Sequence, residues 1–182
     1  MILKYSPINV YAMVGGTPIK ESDIKSYPYE EWTKPFQYNV TAGTAYSKFL
    51  DGLKNGKVYG TYCSKCGHVF VPPKTYCPYC FKPVDGWVEV KDEGTVVTAV
   101  VSYISGTREP LKEPRVVGVI KLSVPGKEFS EHRFPGIMHY LCVDPEDVKS
   151  MKVFGMRVRA RWKPINQRTG SVLDIECFEP VR

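Results

Sequence analysis

Tyr46, Phe49, Leu50 and Leu53 recur at i, i+3, i+4 and i+7, the spacing of one apolar stripe on a helix. The pattern predicts a helix over about 42–54, with Thr41 or Thr44 as N-cap and Asn55-Gly56 as its C-terminal stop. The stripe is wide and partly aromatic, so it covers a neighbouring element or meets a partner chain. Beyond it the period changes. Lys57-Val58-Tyr59-Gly60-Thr61-Tyr62 reads as a strand, His68-Val69-Phe70-Val71 as its return, and Pro72-Pro73 as a bend. From Trp87 onward, short Val-rich runs separated by Gly, Pro and charged residues predict strands at about 87–90, 94–104, 115–122, 137–143, 157–163 and 172–178. Between them only Asp144-Pro145-Glu146-Asp147-Val148, an acid and a proline at a helix start, interrupts the β pattern. Strands that follow one another without crossover helices imply an antiparallel sheet closed into a small barrel or sandwich. Gly94 and Gly118 are expected at its bends or bulges.

Five or six strands in the last 95 or so residues suit an OB-fold. Ahead of the helix, residues 1–40 hold Pro7, Gly15, Gly16, Pro18, Pro28 and Pro35 among seven aromatics from Tyr5 to Tyr38. Prolines and glycines at that density break long elements, while so many aromatic rings need a surface to pack on, either this protein's own or a partner's. The expected division is an N-terminal extension with the amphipathic helix (1–56), a metal ribbon (57–86) and an OB-fold barrel (87–182). The fold class is mainly β with an N-terminal helical arm.

The ribbon rests on cysteine spacing. Cys63-Ser64-Lys65-Cys66-Gly67 is followed by Cys77-Pro78-Tyr79-Cys80, with ten residues between Cys66 and Cys77. Two Cys-x-x-Cys pairs can close on one tetrahedral ion, each supplying two thiolates from a tight turn. Four protein sulfurs fill every position of a Zn²⁺ ion and leave none for an activated water, so the ion is structural. Iron in a rubredoxin-type electron carrier uses the same soft ligands, and two disulfides or four unconnected thiols are the remaining options. Zinc is the usual occupant of such a closed site. His68 is expected to face solvent or make a hydrogen bond rather than ligate. Cys142 and Cys177 lie in apolar, strand-like runs and are expected as small buried hydrophobes.

Composition bounds the rest. At 182 residues with 43% hydrophobic content, the chain makes one ordinary globular domain or two small ones. A zinc ribbon alone buries too little to fold without its metal, so a second unit beside it is expected. The formal charge is +6, and four thiolates with one divalent ion together add −2, leaving a mildly basic chain near +4. No apolar run reaches membrane-spanning length, and the first residues lack the pattern of a signal peptide, so a cytoplasmic, reducing location is expected, favouring metal over disulfide.

The order of parts is similar to a known family. An amphipathic helix with Gly52-Leu53-Lys54-Asn55-Gly56-Lys57, then Cys-x-x-Cys-Gly, then Pro72-Pro73-Lys74-x-x-Cys-Pro-x-Cys, then a Val-rich barrel resembles the rubredoxin-like zinc ribbons fused to an OB-fold. That family was long classed as a domain of unknown function and is associated with thiolases and acyl-CoA metabolism. The match runs from about Thr44 to Pro180. The resemblance implies a non-catalytic accessory subunit that docks on a thiolase or related acyl-CoA condensing enzyme, with structural zinc on Cys63, Cys66, Cys77 and Cys80 and an acyl-CoA ligand nearby.

The residues offer one independent hint at that ligand. Arg157, Arg159, Arg161 and Lys163 alternate with Val158, Ala160 and Trp162, so a strand there puts four cations on one face. CoA carries phosphates, and guanidinium groups hold phosphate bidentately. Lys121, Lys127, His132 and Arg133 add charge that Glu128 and Glu131 dilute. The competing reading is single-stranded nucleic-acid binding, since OB-folds use aromatic platforms in basic grooves; the modest charge weakens it. An enzyme acting alone finds little support: no Gly-x-Ser-x-Gly, phosphate loop or Cys-His pairing is present, and Asp92-Glu93 and Glu128-x-x-Glu131 read as surface carboxylates.

Overall fold

The computed structural model describes Lys20, Ser22 and residues 40–106, 109–127 and 134–181. The expected N-terminal arm, apart from Lys20, Ser22 and Val40, lies outside the described residues, as do Glu128, Glu131, His132 and Arg133.

Helix α1 (Gly43–Lys54) buries Phe49 and Leu53 completely, together with Ala45 and Gly52. Removing either large side chain from water stabilises the fold by roughly 1.5–3 kcal/mol. The expected caps are corrected at one end. Ala42 occupies the N-cap, and the Thr41 hydroxyl instead accepts the Gly43 N–H at 3.3 Å. Gly43 itself makes the turn into the helix at φ 68°. At the other end Asn55 and Gly56 stop the helix, Gly56 at φ 73°.

A first sheet follows, built from β1 (Val58–Cys63), β2 (His68–Phe70) and β3 (Gly86–Val90) in the order β2-β1-β3. The run at 87–90, expected as the first barrel strand, pairs with β1 from Val58↔Val90 to Tyr62↔Gly86. Hydrophobic alternation announces a strand but not its neighbour; here Val90 and Val58 sink together into the core.

The second sheet contains β4 (Glu93–Ile104), β5 (Pro110–Leu122), β6 (Gly136–Tyr140), β7 (Arg157–Trp162) and β8 (Ile175–Pro180), ordered β6-β5-β4-β7-β8. Its neighbouring strands are antiparallel, and a parallel bridge between Leu141 and Phe178 brings its two edges together. Helix α2 (Pro145–Lys149) starts where expected, with the Asp144 carboxylate accepting the Glu146 N–H at 2.9 Å and Pro145 in the first turn. The bulges of β4 lie between Val96 and Thr98 and between Ser102 and Ile104. The two glycines serve close approach instead. A Cβ on Gly118 would sit 2.6 Å from the Thr98 carbonyl and from Leu141 Cδ1, and one on Gly94 would run into the Lys121 carbonyl.

The strand expected from 172 begins at Ile175. Val172–Asp174 is a 3-10 turn, because the fully buried Asp174 carboxylate accepts the N–H groups of Thr169, Gly170 and Ser171 at 3.0, 2.7 and 3.0 Å. That curl delays the strand. The core runs continuously from Phe49, Leu53, Val58 and Val90 into Val96, Ile120, Val158 and Phe178 of the barrel, and residues 41–182 form one compact unit. Among the described residues, no helix is long and apolar enough to cross a membrane.

Candidate metal centre and neighbouring surfaces

The first cysteine pair sits at the end of the β1–β2 hairpin, and the second in the connection from β2 to β3, inside an isolated antiparallel bridge between Tyr76 and Pro83. Cys63 closes β1, and Cys63↔His68 is the last rung of the β1–β2 ladder, so the turn carrying Cys66 and Gly67 projects from it. Gly67 takes φ 68°, the left-handed value expected for the residue after a knuckle. The second knuckle is held by the Cys77 N–H to Lys82 carbonyl bond and the Phe81 N–H to Cys77 carbonyl bond, both 2.8 Å. Thr61 ties its approach to β1, donating its hydroxyl to the Lys74 carbonyl and accepting the Lys74 N–H, each at 2.9 Å.

This scaffold brings the four sulfurs of Cys63, Cys66, Cys77 and Cys80 within 4.8 Å of one another. Cys63 Sγ and Cys80 Sγ are 3.7 Å apart. A tetrahedral Zn²⁺ with bonds of about 2.3 Å has sulfur–sulfur edges of about 3.8 Å, so the donor set fits zinc in number, chemistry and spacing. The backbone supports thiolate. Burial pushes the Cys77 thiol up, but the N–H groups of Tyr79 and Cys80 outweigh it and bring it to about 7. Cys66, with burial as its main influence and neighbouring thiols next, is pushed up to about 12. A zinc ion held by all four would link the two knuckles and leave no ligand position for a substrate.

His68 is not solvent-facing. It is buried and stacked on Tyr79, centroids 4.2 Å apart and 5° from parallel, with Phe70 stacked 5.7 Å away on the same imidazole. Sequence reasoning also missed the aromatic rim of the second knuckle. Phe81 is 82% exposed and Tyr79 63%, with Tyr76 beside them in the chain at 61%. Phe81 holds φ 57° at the position matching Gly67 of the first knuckle. A phenylalanine where the other Cys-x-x-Cys pair has glycine was the available signal.

The basic strand forms as expected, with Arg157, Arg159 and Arg161 exposed and Val158 and Ala160 buried. Lys163 lies one residue beyond it and is half-buried. Carboxylates meet the three arginines. Glu93 pairs with Arg159 and, at 3.4 Å, with Arg157, while Arg161 meets Glu176 at 3.0 Å and Glu179 at 3.6 Å. Hydrogen bonding from Arg159 holds Glu93 below the usual carboxylate range despite its partial burial. Asp92 likewise has a structural partner, the Trp162 indole N–H at 3.0 Å. Arg159 and Arg161 also line a cleft of about 660 Å³ with Asp144, Asp147 and Glu179; Arg157 and Lys163 do not line it. Lys127 is placed over the Tyr62 ring at 3.7 Å, and Lys121 over Phe134 at 5.8 Å.

Cys142 and Cys177 are corrected. Cys177 is buried, but Cys142 is exposed and the two form a disulfide across 35 residues, their Cα atoms 5.7 Å apart. The apolar neighbours of each along the chain hid the pairing, which arises only where the chain beyond β6 meets β8 at the Leu141–Phe178 bridge.

Comparison with known proteins agrees with this architecture. Residues 50–84 match the model of the ChsH2 rubredoxin-like zinc ribbon domain, and residues 87–163 that of the ChsH2 C-terminal OB-fold domain. No curated protein matches the chain. Among solved structures, a protein of unknown function from the DUF35 family of Sulfolobus solfataricus is 25% identical, with a TM-score of 0.51 over 76% of this chain and 87% of that one. The Ltp2–ChsH2(DUF35) aldolase is 18% identical, with a TM-score of 0.51 over 78% of this chain and 98% of the matched one, a likeness of fold.

Proposed function

The chain belongs to the family that joins a ChsH2-type rubredoxin-like zinc ribbon to an OB-fold, and from that premise we propose that it is a non-catalytic, zinc-containing subunit partnering a thiolase-type acyl-CoA condensing enzyme in the cytoplasm. The observation that carries the reading is the closed sulfur cluster. Four thiols within 4.8 Å of one another use up the coordination sphere of the metal they fit, so the metal acts on the fold and not on a substrate. A fold relative described as an Ltp2–ChsH2(DUF35) aldolase, two components under one activity, supports a subunit role. Exposed Tyr76, Tyr79 and Phe81 give such a subunit an aromatic contact surface of the kind that anchors protein interfaces.

For the acyl-CoA ligand, Arg159 and Arg161 on the cleft are the candidate phosphate contacts, with Arg157 and Lys163 flanking them along the same strand. Phosphate would take over guanidinium donors that Glu93, Glu176 and Glu179 now hold.

The test is reconstitution. The zinc-loaded chain alone should turn over no acyl-CoA in condensation, thiolysis or retro-aldol assays, and should raise the activity of a co-expressed thiolase-type enzyme with which it co-elutes. Turnover by the isolated chain would overturn the subunit reading. One observation favours the alternative of single-stranded nucleic-acid binding. Lys65, Lys74 and Lys82 stand in the same ribbon segments as the exposed aromatic rings. Oligonucleotide binding with steep salt dependence, and none to acyl-CoA, would establish that alternative.

A further inference from the structure

The five-stranded sheet becomes a barrel only where the chain beyond β6 meets β8. There Leu141 bridges Phe178, and the Cys142 N–H donates to the Phe178 carbonyl at 2.8 Å. The disulfide between Cys142 and Cys177 spans the same seam. Its two sulfurs belong to unlike environments. Cys177 is 2% exposed, whereas Cys142 is open to solvent and lines the 660 Å³ cleft beside Arg159 and Arg161. Next along β6, His139 contacts the Val172 carbonyl through Nε2 at 2.9 Å, but its buried Nδ1 has no hydrogen-bond partner among the described residues, so polar anchoring near the seam is incomplete there.

We propose that Cys142–Cys177 is a thiol–disulfide exchange site, entered at Cys142 from the cleft by a dithiol reductant, and that its opening unfastens the barrel between β6 and β8. The inference is independent of the acyl-CoA reading.

The chemistry follows from access. A thiolate of the dithiol attacks Cys142 Sγ, forming a mixed disulfide there, and the Cys142–Cys177 bond breaks with its electron pair leaving on Cys177 Sγ. The second thiolate of the reductant then attacks its own sulfur in that mixed disulfide and releases Cys142. The reductant ends as a disulfide, oxidised by two electrons, and its two protons end on Cys142 and Cys177. Cys142, the exposed residue of the pair and the one that lines the cleft, is the point of attack, since the buried Cys177 offers no approach to a nucleophile. Once the covalent link is gone, β8 keeps its antiparallel ladder to β7, while its join to β6 and the chain after it keeps the Leu141–Phe178 bridge and the edge-on contact of His139 with Phe178. The cleft wall that Cys142 shares is then free to move.

The test uses the full zinc-loaded chain. Protein purified without reductant is alkylated in denaturant and peptide-mapped; a linked Cys142–Cys177 peptide is expected. Titration with dithiothreitol, with zinc release followed in parallel, should reduce that pair while zinc stays bound. It should speed amide hydrogen exchange at residues 139–142 and 175–178 about tenfold or more. Limited treatment with a monothiol such as glutathione should trap the adduct on Cys142. A double variant, Cys142→Ser with Cys177→Ala, should show the fast exchange at the outset and no response to dithiothreitol. Two freely alkylated thiols that mild oxidation does not join would overturn the proposal. So would an adduct on Cys177, or seam exchange that is the same before and after reduction.

Discussion

Asp85 accepts two hydrogen bonds from Ser64, one from its backbone N–H at 2.6 Å and one from its hydroxyl at 2.9 Å. Ser64 follows the first cysteine of the four-sulfur cluster, so a residue just ahead of β3 fixes the turn that carries Cys63 and Cys66. These bonds hold the Asp85 carboxyl below its ordinary range, the backbone N–H contributing most. Outer contacts of this kind typically tune metal affinity by 10–100-fold. Asp85→Ala should therefore weaken zinc binding about tenfold in a chelator competition. An unchanged dissociation constant would show that the knuckle holds its shape without Asp85.

Loss of a sulfur ligand should act on folding. Cys63→Ser or Cys77→Ser is expected to release zinc and to lower the melting temperature of the whole of residues 41–182, because Val58 and Val90 of the ribbon share their core with the barrel. Elemental analysis and calorimetry on the same sample check both halves. Stoichiometric zinc at an unaltered melting temperature would contradict a structural ion.

Asp174 supplies a pH dependence. Burial alone would raise its pKa, but the N–H groups of Thr169, Ser171 and Gly170 prevail and hold it below the usual carboxylate range. A group with a depressed folded-state pKa adds stability that is present above its unfolded value and lost as pH falls through the folded one. Asp174→Asn places an amide donor against backbone donors and should cost about 2 kcal/mol at neutral pH, or about 5 °C in melting temperature. The gap between variant and wild type should narrow below about pH 4. An equal gap at pH 7 and pH 3 would rule out the ionised carboxylate as its source.

Arg159→Ala with Arg161→Ala should leave the fold in place, since both guanidinium groups lie at the surface, where solvent screens their ion pairs. The pair of substitutions should weaken acyl-CoA binding measured by calorimetry. Undiminished binding would remove the cleft from the proposed ligand site.

Gly118→Ala should destabilise the barrel by about 1–3 kcal/mol, because the new methyl group meets the Thr98 carbonyl and Leu141 at 2.6 Å. Gly126→Ala is the control. Gly126 has open space at its Cβ position, and the cost there is confined to its φ of 69°.

Local patterns made much of this architecture legible. Phe49 and Leu53 revealed α1, the paired Cys-x-x-Cys motifs revealed the metal cluster, and Asp144-Pro145 revealed the start of α2. What escaped depends on contacts distant in sequence. The partner of the 87–90 strand, the burial of His68 under Tyr79 and the joining of Cys142 to Cys177 are decided by neighbours 11 to 35 residues away. Asp174 was hidden for another reason. A carboxylate in a strand-like apolar run reads as an outward-facing residue until the N–H groups curled around it are seen.

The pairing of β3 with β1 bears on how the molecule can be dissected. A cut placed just before Trp87, where the sequence motifs change character, would strip the ribbon of an outer strand and hand it to a fragment with nothing to lay it against. Both pieces would carry raw hydrogen-bonding edges and bared valines, so isolated halves should clump where the intact polypeptide stays dispersed.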